Sequence, residues 1–381
     1  MFTLTELRNA TRALVRTPTV SVSAVLCLAL GIGATTAISS AISRALLRPL
    51  PFADSDRLVA VHRITPQSGP QGTWPESAPN YIDVAHESRQ IENLSALLNG
   101  TALISLTNDA LQARQLYVTG GLFSMLGAIA ERGRLIGPED DRRDAPLVAV
   151  ISDELWQYRL GGDPTILGRS ISIDGQPTTV VGILPPEFRI PHGSNLLKAD
   201  VWMPMRFTPQ ALAQRRSNSL QMLGRLAPGA TVASAEAEMR GLFANLVAAH
   251  PELRGDNLRV APLQSENLAS IQRPLLLLFG AVCMVLLIAA TNVAALLLAR
   301  GVQRRRETAV RAALGATRWE TMRPAIIESF IITGAGVLLG IVLATGGVRT
   351  IGALAAARMP QLAGLGLDAR VLGFALALSL V

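Results

Sequence analysis

The chain has 381 residues, of which 49% are hydrophobic and 17% are charged, and its mean hydropathy is +0.35. This composition excludes an ordinary soluble protein of this size and indicates membrane-spanning segments. The net charge of +7 comes from two arginine-rich pieces that flank apolar runs, residues 1–18 and 300–323. A nucleic-acid-binding protein is therefore excluded, because its basic residues form a face on a folded domain.

The N-terminal residues 1–18 carry Arg8, Arg12 and Arg16 at four-residue spacing. Residues four apart share one face of a helix, so this segment is predicted to be a short amphipathic helix on the cytoplasmic surface of the membrane. The alternative is a solvated N-terminus without fixed structure.

Residues 19–43 form the first predicted transmembrane helix, TM1. They lie in a run of 27 uncharged residues between Arg16 and Arg44, which reaches about 40 Å as a helix and exceeds the roughly 30 Å hydrocarbon core. The apolar part of a signal peptide has only about 7–15 residues, so a retained anchor is expected rather than a cleaved one. Gly31 and Gly33 are predicted to let another helix approach closely.

Residues 49–272 have a different composition, with many prolines and with charges of both signs. They are long enough to bury a substantial core, and we expect two subdomains. Strands are predicted at 58–64 and 146–152, a hairpin around Asp174-Gly175 within 169–184, and a helix at 231–250. Since the helices on both sides enter from arginine-rich ends, this α+β domain is predicted to lie outside the cytoplasm.

Two further spans follow the domain. TM2 is predicted at 274–299 and TM3 at 329–348, with a short outer loop at 349–370 and the truncated start of a fourth span at 371–381. Gly336 and Gly340 in TM3 are predicted helix-packing positions. The predicted fold class is an α-helical membrane protein of three complete transmembrane helices plus the start of a fourth. A large α+β periplasmic domain is inserted between TM1 and TM2.

The cytoplasmic loop at 300–328 carries seven arginines and three glutamates. Glu307 and Arg311 have the spacing of a helical ion pair, Gly315 can end that helix, and 317–320 fits a capping box that begins the next one. Arginines alone would set topology, but an ordered helix with a defined end indicates a docking role as well. The predicted docking residues are Arg304, Glu307, Arg311, Ala313, Leu314, Gly315 and Ala316.

Motifs for several kinds of chemistry are missing from the sequence. It contains no phosphate-binding GxxxxGK[ST] loop, no GxSxG elbow and no HExxH motif. Cys27 and Cys283 fall in apolar runs, the histidines match no metal-ligand spacing, and Glu139-Asp140-Asp141 is interpreted as a solvated turn. We therefore predict no catalytic, cofactor-binding or metal site.

The loop and the domain together resemble the MacB/FtsX-like ABC transporter permeases. In the loop the resemblance rests on Arg306-Glu307, Arg311, 313–316 and Glu328, followed by the glycine-rich span. In the domain it rests on the motifs TILGR (165–169), VVGI (180–183) and Phe188. SAPNYID (77–83) and GRLAPG (224–229) are similar to the acidobacterial-type duplicated group of these permeases.

The resemblance implies a MacB-like periplasmic core domain at 49–272 and an FtsX-like permease domain at about 274–381. It implies a bacterial inner-membrane subunit that binds no cofactor itself. ATP is bound and hydrolysed by a cytoplasmic partner ATPase docked on the loop at 300–328, and the resulting motion is transmitted to the periplasmic domain. A second permease copy, or a second half of the same gene product, and a periplasmic partner complete the implied assembly, together with the lipid bilayer.

A second hypothesis stays open beside this one. The chain could instead be a membrane-anchored extracytoplasmic sensor or ligand-binding module, in which the arginines only set topology. A membrane-tethered enzyme is disfavoured because no constellation of catalytic residues supports it.

Overall fold

The structure is a computed structural model, and it describes residues 8, 11–12, 14, 18–47, 50–106, 109–186, 188–192, 195–303, 310, 313–314 and 317–355. The chain divides into two compact units, Pro49–Ser270 and Met1–Arg48 together with Ile271–Val381. Most of the predicted N-terminal helix at 1–18 lies outside the described residues. So do most of the predicted loop at 349–370 and all of 371–381.

Among the described residues, the α-helices of four or more residues are, in chain order, α1 (Pro18–Leu47), α2 (Ala78–Glu87), α3 (Leu122–Leu126), α4 (Asp153–Arg159), α5 (Pro209–Leu212), α6 (Val232–Ala249), α7 (Leu263–Gln303) and α8 (Arg318–Ala355). The strands are β1 (Leu58–Ile64), β2 (Ile91–Leu106), β3 (Asp109–Val118), β4 (Arg132–Gly133), β5 (Val148–Ile151), β6 (Ser170–Ile173), β7 (Gln176–Ile183), β8 (Ile190–His192), β9 (Asn195–Leu197), β10 (Val201–Pro204), β11 (Gln221–Leu226) and β12 (Asn257–Pro262).

Three helices are long and apolar enough to cross a membrane. Their apolar windows are Ser21–Ser40 in α1, Leu276–Ala295 in α7 and Met322–Gly347 in α8. Both α7 and α8 extend beyond the predicted spans at 274–299 and 329–348. This difference arises because a run without charges marks the part that suits a bilayer, whereas the helical hydrogen bonding continues into charged sequence.

The unit Pro49–Ser270 is built on one ten-stranded sheet in the order β12-β1-β11-β2-β3-β10-β5-β7-β4, with β6 pairing with both β2 and β7. Most pairs are antiparallel, but β10 runs parallel to β3, and β5 runs parallel to β7. Strands from early and late parts of the chain alternate along this order. The expected division into two subdomains is therefore wrong for the sheet, which is continuous through the unit.

Local predictions inside this unit are confirmed where the pattern was strong. Strand β1 covers the predicted 58–64, β5 lies within 146–152, and β6 and β7 form the predicted hairpin. Asp174 and Gly175 have φ values of 50° and 77° at its turn, as the favoured two-residue hairpin turn requires. Helix α6 begins after Thr231, whose side chain accepts a hydrogen bond from the Ser234 N–H.

Candidate functional site

The predicted docking helix in the arginine-rich loop is described at Val310, Ala313 and Leu314, and all three are exposed. Leu314 is 83% exposed, and its N–H donates to the Val310 carbonyl at 3.1 Å, so the backbone is helical there. The other predicted docking residues lie outside the described part of the chain: Arg304, Glu307, Arg311, Gly315 and Ala316. Helix α8 begins at Arg318.

Two of the described positions of the loop carry exposed apolar side chains, Val310 and Leu314. Val310 and Leu314 are four residues apart and therefore share a helix face, and both are exposed. Val310 was missed because the sequence interpretation followed the arginines and the ALGA segment. Its four-residue spacing from Leu314 was the signal that could have found it.

Helices α1 and α8 meet at two of the predicted packing glycines. A Cβ placed on Gly33 would lie 2.9 Å from the Gly340 carbonyl oxygen, and a Cβ on Gly340 would lie 3.1 Å from the Ala29 carbonyl oxygen. Real Cβ atoms essentially never approach another atom within 3.0 Å, and a contact at 3.1 Å is tighter than nearly all that they make. The absence of side chains at these two positions is what lets the backbones approach.

The other two predicted glycines also face neighbouring helices. A Cβ on Gly336 would lie 2.8 Å from the Leu28 Cβ, and a Cβ on Gly31 would lie 2.7 Å from the Leu286 Cδ1 in α7. Thr35, which is fully buried, donates its hydroxyl to the Gly31 carbonyl at 2.7 Å and so satisfies its polar group within α1.

Arg225 holds the chain segment that leads from α1 into the domain. Its guanidinium donates to the carbonyls of Ala53 at 2.8 Å and Asp54 at 3.2 Å, and twice to the carbonyl of Met125 in the last turn of α3. Arg225 is only 8% exposed. A planar group with five donors is suited to several carbonyls at once, so this arginine of the GRLAPG motif is an anchor for backbone.

Glu266 fixes the first turns of α7 to the sheet. Its Oε1 accepts from the Arg259 Nη2 at 2.8 Å, and its Oε2 lies 3.3 Å from the His62 Nε2. Burial alone would raise the pKa of Glu266, but the Arg259 guanidinium and the neighbouring His62 imidazole outweigh it and hold that pKa below its usual value. Strands β1 and β12 thus bind the start of α7 through charge-assisted contacts.

The SAPNYID motif belongs to a buried network of charges. Glu76, just before the motif, accepts from the Asn80 Nδ2 at 2.9 Å and lies 3.7 Å from the Arg63 guanidinium, which also pairs with Asp256 at 3.1 Å. Burial raises the pKa of the Glu76 carboxyl despite these partners. The network joins α2, β1 and the segment before β12, so the motif has a structural role in this domain.

In the acidic turn at 139–141 only Glu139 is exposed, so the prediction of a solvated turn is wrong for Asp140 and Asp141. Asp140 is 4% exposed and accepts two hydrogen bonds from Arg134, and Asp141 accepts from the Gly120 N–H at 2.8 Å. Burial raises the pKa of Asp141 to about 6 with the help of the negative charge of Asp140 and against the lowering effect of the Gly120 hydrogen bond. A loop beside two arginines looks exposed in sequence, but the segment after β3 folds over it.

We expect Asp141→Asn to stabilise the domain at pH 7 and to remove a pH dependence. The pKa of Asp141 rises from its ordinary value of 3.8 to about 6 in the folded chain. At pH values between these two, the folded chain keeps a proton on Asp141 that the unfolded chain loses. The free energy of unfolding of the wild type therefore falls as the pH rises through this window. The full shift corresponds to about 3 kcal/mol at pH 7. Because Asp141 is only partly buried, solvent screening reduces this, so the variant should be about 2 kcal/mol more stable than the wild type at pH 7 and similar to it near pH 4.

Urea unfolding followed by tryptophan fluorescence measures this difference, because Trp74, Trp156 and Trp202 lie in the domain. The matched control is Asp144→Asn, since the Asp144 side chain is 83% exposed. If the free energies of unfolding of Asp141→Asn and the wild type differed by the same amount at both pH values, the raised pKa of Asp141 would be contradicted.

An open cleft in the domain is lined by Gln214, Arg215, Arg216, Ser217 and Glu252 and has a volume of about 430 Å³. Arg215 pairs with Asp83 at 2.7 Å, which reduces the positive charge it offers to a ligand. Among the described residues, no group of three or more His, Cys, Asp or Glu side chains could hold a metal ion. The predictions of no catalytic, cofactor or metal site stay predictions.

Comparison with protein-family models gives two matches. Residues 21–242 match the MacB-like periplasmic core domain, and residues 279–380 match the FtsX-like permease C-terminal domain. The first match covers every strand of the ten-stranded sheet except β12, and the second covers most of α7 and α8 with the loop between them.

Curated relatives carry the name "Macrolide export ATP-binding/permease protein MacB". The chain is 26% identical to the protein from Burkholderia thailandensis over 225 residues, which are 59% of this chain and 33% of that protein. It is 22% identical to the one from Campylobacter jejuni over 269 residues, 69% of this chain and 40% of that protein. The chain thus spans between a third and two fifths of the length of these relatives.

Comparison with solved structures gives matches to two extracytoplasmic domains. The periplasmic region of MacB from Actinobacillus actinomycetemcomitans has a TM-score of 0.40 and 12% identity, covering 58% of this chain and 92% of that one. The extracellular domain of the ABC-type transporter YknZ from Gram-positive bacteria has a TM-score of 0.38 and 11% identity, covering 53% and 98%. Since the first family model alone matches more than half of the chain, this chain belongs to the MacB/FtsX-like permease family of ABC transporters.

Proposed function

We propose that this chain is a permease subunit that couples ATP hydrolysis by a separate partner ATPase to movement of the domain Pro49–Ser270, in efflux or extrusion from the periplasm. The chain itself performs no catalysis in this proposal and binds no ATP. The observation that carries the proposal is the exposed apolar pair Val310 and Leu314 in an arginine-rich loop between two apolar helices. A loop whose arginines only set the orientation of the helices in the membrane does not require an exposed apolar surface, whereas a docking site does.

The proposed location is the bacterial inner membrane, with the N-terminus and the loop at 300–328 in the cytoplasm and the domain in the periplasm. The arginines around α1 and between α7 and α8 support this orientation, because positive residues are retained on the cytoplasmic side. Three transmembrane helices and the start of a fourth at 371–381 are part of the proposal. Membership of the acidobacterial-type duplicated group stays a prediction.

Transmission of movement requires that the segments entering and leaving the domain be fixed to its core. Arg225 fastens Ala53 and Asp54 at the entry, and Glu266 fastens the start of α7 at the exit. Both contacts involve charged groups with several hydrogen bonds, which are stronger than neutral ones. The domain therefore has attachment points suited to receiving motion from two helices.

The experiment is co-purification of the ATPase from membranes that contain the intact gene product, with substitutions in the loop. We expect Leu314→Asp, and separately Glu307→Ala with Arg311→Ala, to abolish co-purification of the ATPase and stimulation of its activity. Leu314 is almost fully exposed, so a buried charge in the free chain is not the reason for the loss.

The matched control for the apolar change is Ile129→Asp, a substitution at a residue that is 79% exposed in the domain. The control for charge is Arg311→Lys, which keeps the topology signal. Protease protection of the domain checks that insertion is unchanged. If the ATPase still binds the loop variants, the docking proposal is wrong and the alternative of a membrane-anchored sensor or ligand-binding module is favoured, with the cleft at Arg215 and Arg216 as its candidate site.

A further inference from the structure

Asp54 has a backbone conformation that residues with a Cβ rarely adopt. Its φ and ψ are 45° and 48°, in the left-handed region. Among the described residues, Asn93 and Asp174 are the other non-glycine residues with positive φ, and Asp174 lies in a hairpin turn. Asp54 lies instead between the end of α1 and the start of β1. Such a conformation is unfavourable and persists where the surrounding structure determines it, and residues of this kind cluster at functional sites.

The turn at Asp54, which we call the entry corner, brings two neighbouring carbonyls to one guanidinium. The Ala53 carbonyl accepts from the Arg225 Nη2 at 2.8 Å, and the Asp54 carbonyl accepts from the Arg225 Nη1 at 3.2 Å. Successive groups of an extended chain point in opposite directions, so the chain has to turn between these residues to make both contacts. The Asp54 carbonyl also accepts from the Arg57 N–H at 3.0 Å.

Arg57 fastens the entry corner to the sheet from the other side. Its Nε donates to the Leu226 carbonyl at 3.0 Å, and its Nη2 donates to the Glu92 Oε1 at 2.6 Å. Leu226 follows Arg225 at the end of β11, and Glu92 lies in the adjacent strand β2. The Asp54 carboxylate is 66% exposed and lies 3.7 and 3.8 Å from the two guanidiniums. Exposed ion pairs contribute little, so the backbone of Asp54 makes its important contacts.

The chain before the entry corner packs into the core of the domain. Leu50 and Phe52 pack against a buried cluster that includes Phe123 and Leu126 of α3 and Leu263, the first residue of α7. The segment that enters the domain and the helix that leaves it therefore contact the same cluster. Since the side chains before the corner and the carbonyls at the corner are both held, this backbone is the link between α1 and strands β11 and β2.

We propose that Asp54 is a positioning residue for the transmission of movement, and that its left-handed backbone is the feature required. The inference rests on the proposed function, because it assigns the residue through which a displacement of α1 reaches β11 and β2. An alanine at this position would favour other backbone conformations and lose the contacts with Arg225. Glycine and asparagine both tolerate the left-handed region, so either should replace the aspartate although neither carries its charge.

Energy transfer between the domain and the membrane tests the proposal, using the full chain with its ATPase in lipid vesicles. A dye on Ile129→Cys, at a position that is 79% exposed, donates to an acceptor lipid in a background with Cys27→Ala and Cys283→Ala. Alanine lowers the left-handed population by roughly 5- to 30-fold relative to glycine. We therefore expect Asp54→Ala to lose most of the ATP-dependent change in transfer per ATP hydrolysed, and Asp54→Gly and Asp54→Asn to keep it.

The matched control is Asp174→Ala, which places alanine at another aspartate of positive φ, 50°, in a hairpin turn away from the entry corner. It should leave the change in energy transfer intact. An equal loss in Asp174→Ala, or a loss in Asp54→Gly or Asp54→Asn, would overturn the proposal. A full change in energy transfer in Asp54→Ala would overturn it as well.

Hydrogen exchange of the full chain without the ATPase separates this inference from the proposed function. Deuterium uptake at residues 50–57 should rise in Asp54→Ala and stay close to the wild-type level in Asp54→Asn and Asp174→Ala. Unchanged uptake in Asp54→Ala would show that the left-handed backbone does not hold the entry corner. If the uptake rises but the wild type shows no ATP-dependent change in energy transfer, the proposed function is wrong, whereas the contacts of the entry corner are supported.

Discussion

Substitution of Arg225 by methionine is expected to destabilise the domain strongly. The change leaves the carbonyls of Ala53, Asp54 and Met125 without their donor in a site where Arg225 is 8% exposed. Each buried group left unsatisfied costs about 1–3 kcal/mol, so a loss of about 3 kcal/mol in the free energy of unfolding is a conservative expectation. For a domain of this size that corresponds to a fall of about 6–12 °C in Tm.

Thermal unfolding followed by tryptophan fluorescence measures this loss. Arg142→Met is the matched control, because Arg142 is 69% exposed and its nearest carboxylate is 4.0 Å away. The control should change stability by less than about 0.5 kcal/mol, as exposed ion pairs contribute little. Arg225→Lys should recover part of the loss, since it keeps the charge but not the planar fork of donors. Equal stability of Arg225→Met and Arg142→Met would show that the hydrogen bonds from Arg225 to the backbone carbonyls do not stabilise the domain.

Substitution of Gly33 by alanine is expected to separate α1 from α8. The added Cβ would lie 2.9 Å from the Gly340 carbonyl oxygen and 3.3 Å from the Leu343 Cβ. Because the first of these atoms belongs to backbone, relief requires that the helices move apart. Overpacking of this kind typically costs about 1–3 kcal/mol, and here it also removes the close approach that holds membrane helices together.

The control for Gly33→Ala is a glycine-to-alanine substitution that should raise stability instead of lowering it. Gly334 and Gly346 lie in α8 with nothing within 4 Å of an added Cβ. Alanine at either position should therefore stabilise the helix by up to about 1 kcal/mol. The two cysteines provide the readout, since Cys27 in α1 and Cys283 in α7 are partly buried and react with a thiol-specific dye when the helices come apart. A Gly33→Ala chain that melts at or above the temperature of Gly334→Ala would refute the contact.

Local sequence patterns were sufficient to predict many of the helices and strands. The apolar helices α1, α7 and α8 were found from runs without charges, and the hairpin at Asp174 and Gly175 from a residue pair that tolerates positive φ. Both signals depend on neighbouring residues only, so they survive without knowledge of the tertiary fold. The two-subdomain expectation failed because the order of strands in a sheet depends on contacts between distant parts of the chain.

The sequence by itself determined that this is a membrane protein with an α+β domain, where its apolar helices lie, and the motifs that assign its family. Only the tertiary structure decided what individual polar residues do. Arg225 binds carbonyls 171 and 172 positions away, the partly buried Asp141 accepts a hydrogen bond from the Gly120 N–H, and Asn292 is exposed in an apolar helix. These roles depend on burial and on residues that are distant in the sequence. The sequence around an arginine, an aspartate or an asparagine does not show whether that residue will be buried or which distant residues it will contact.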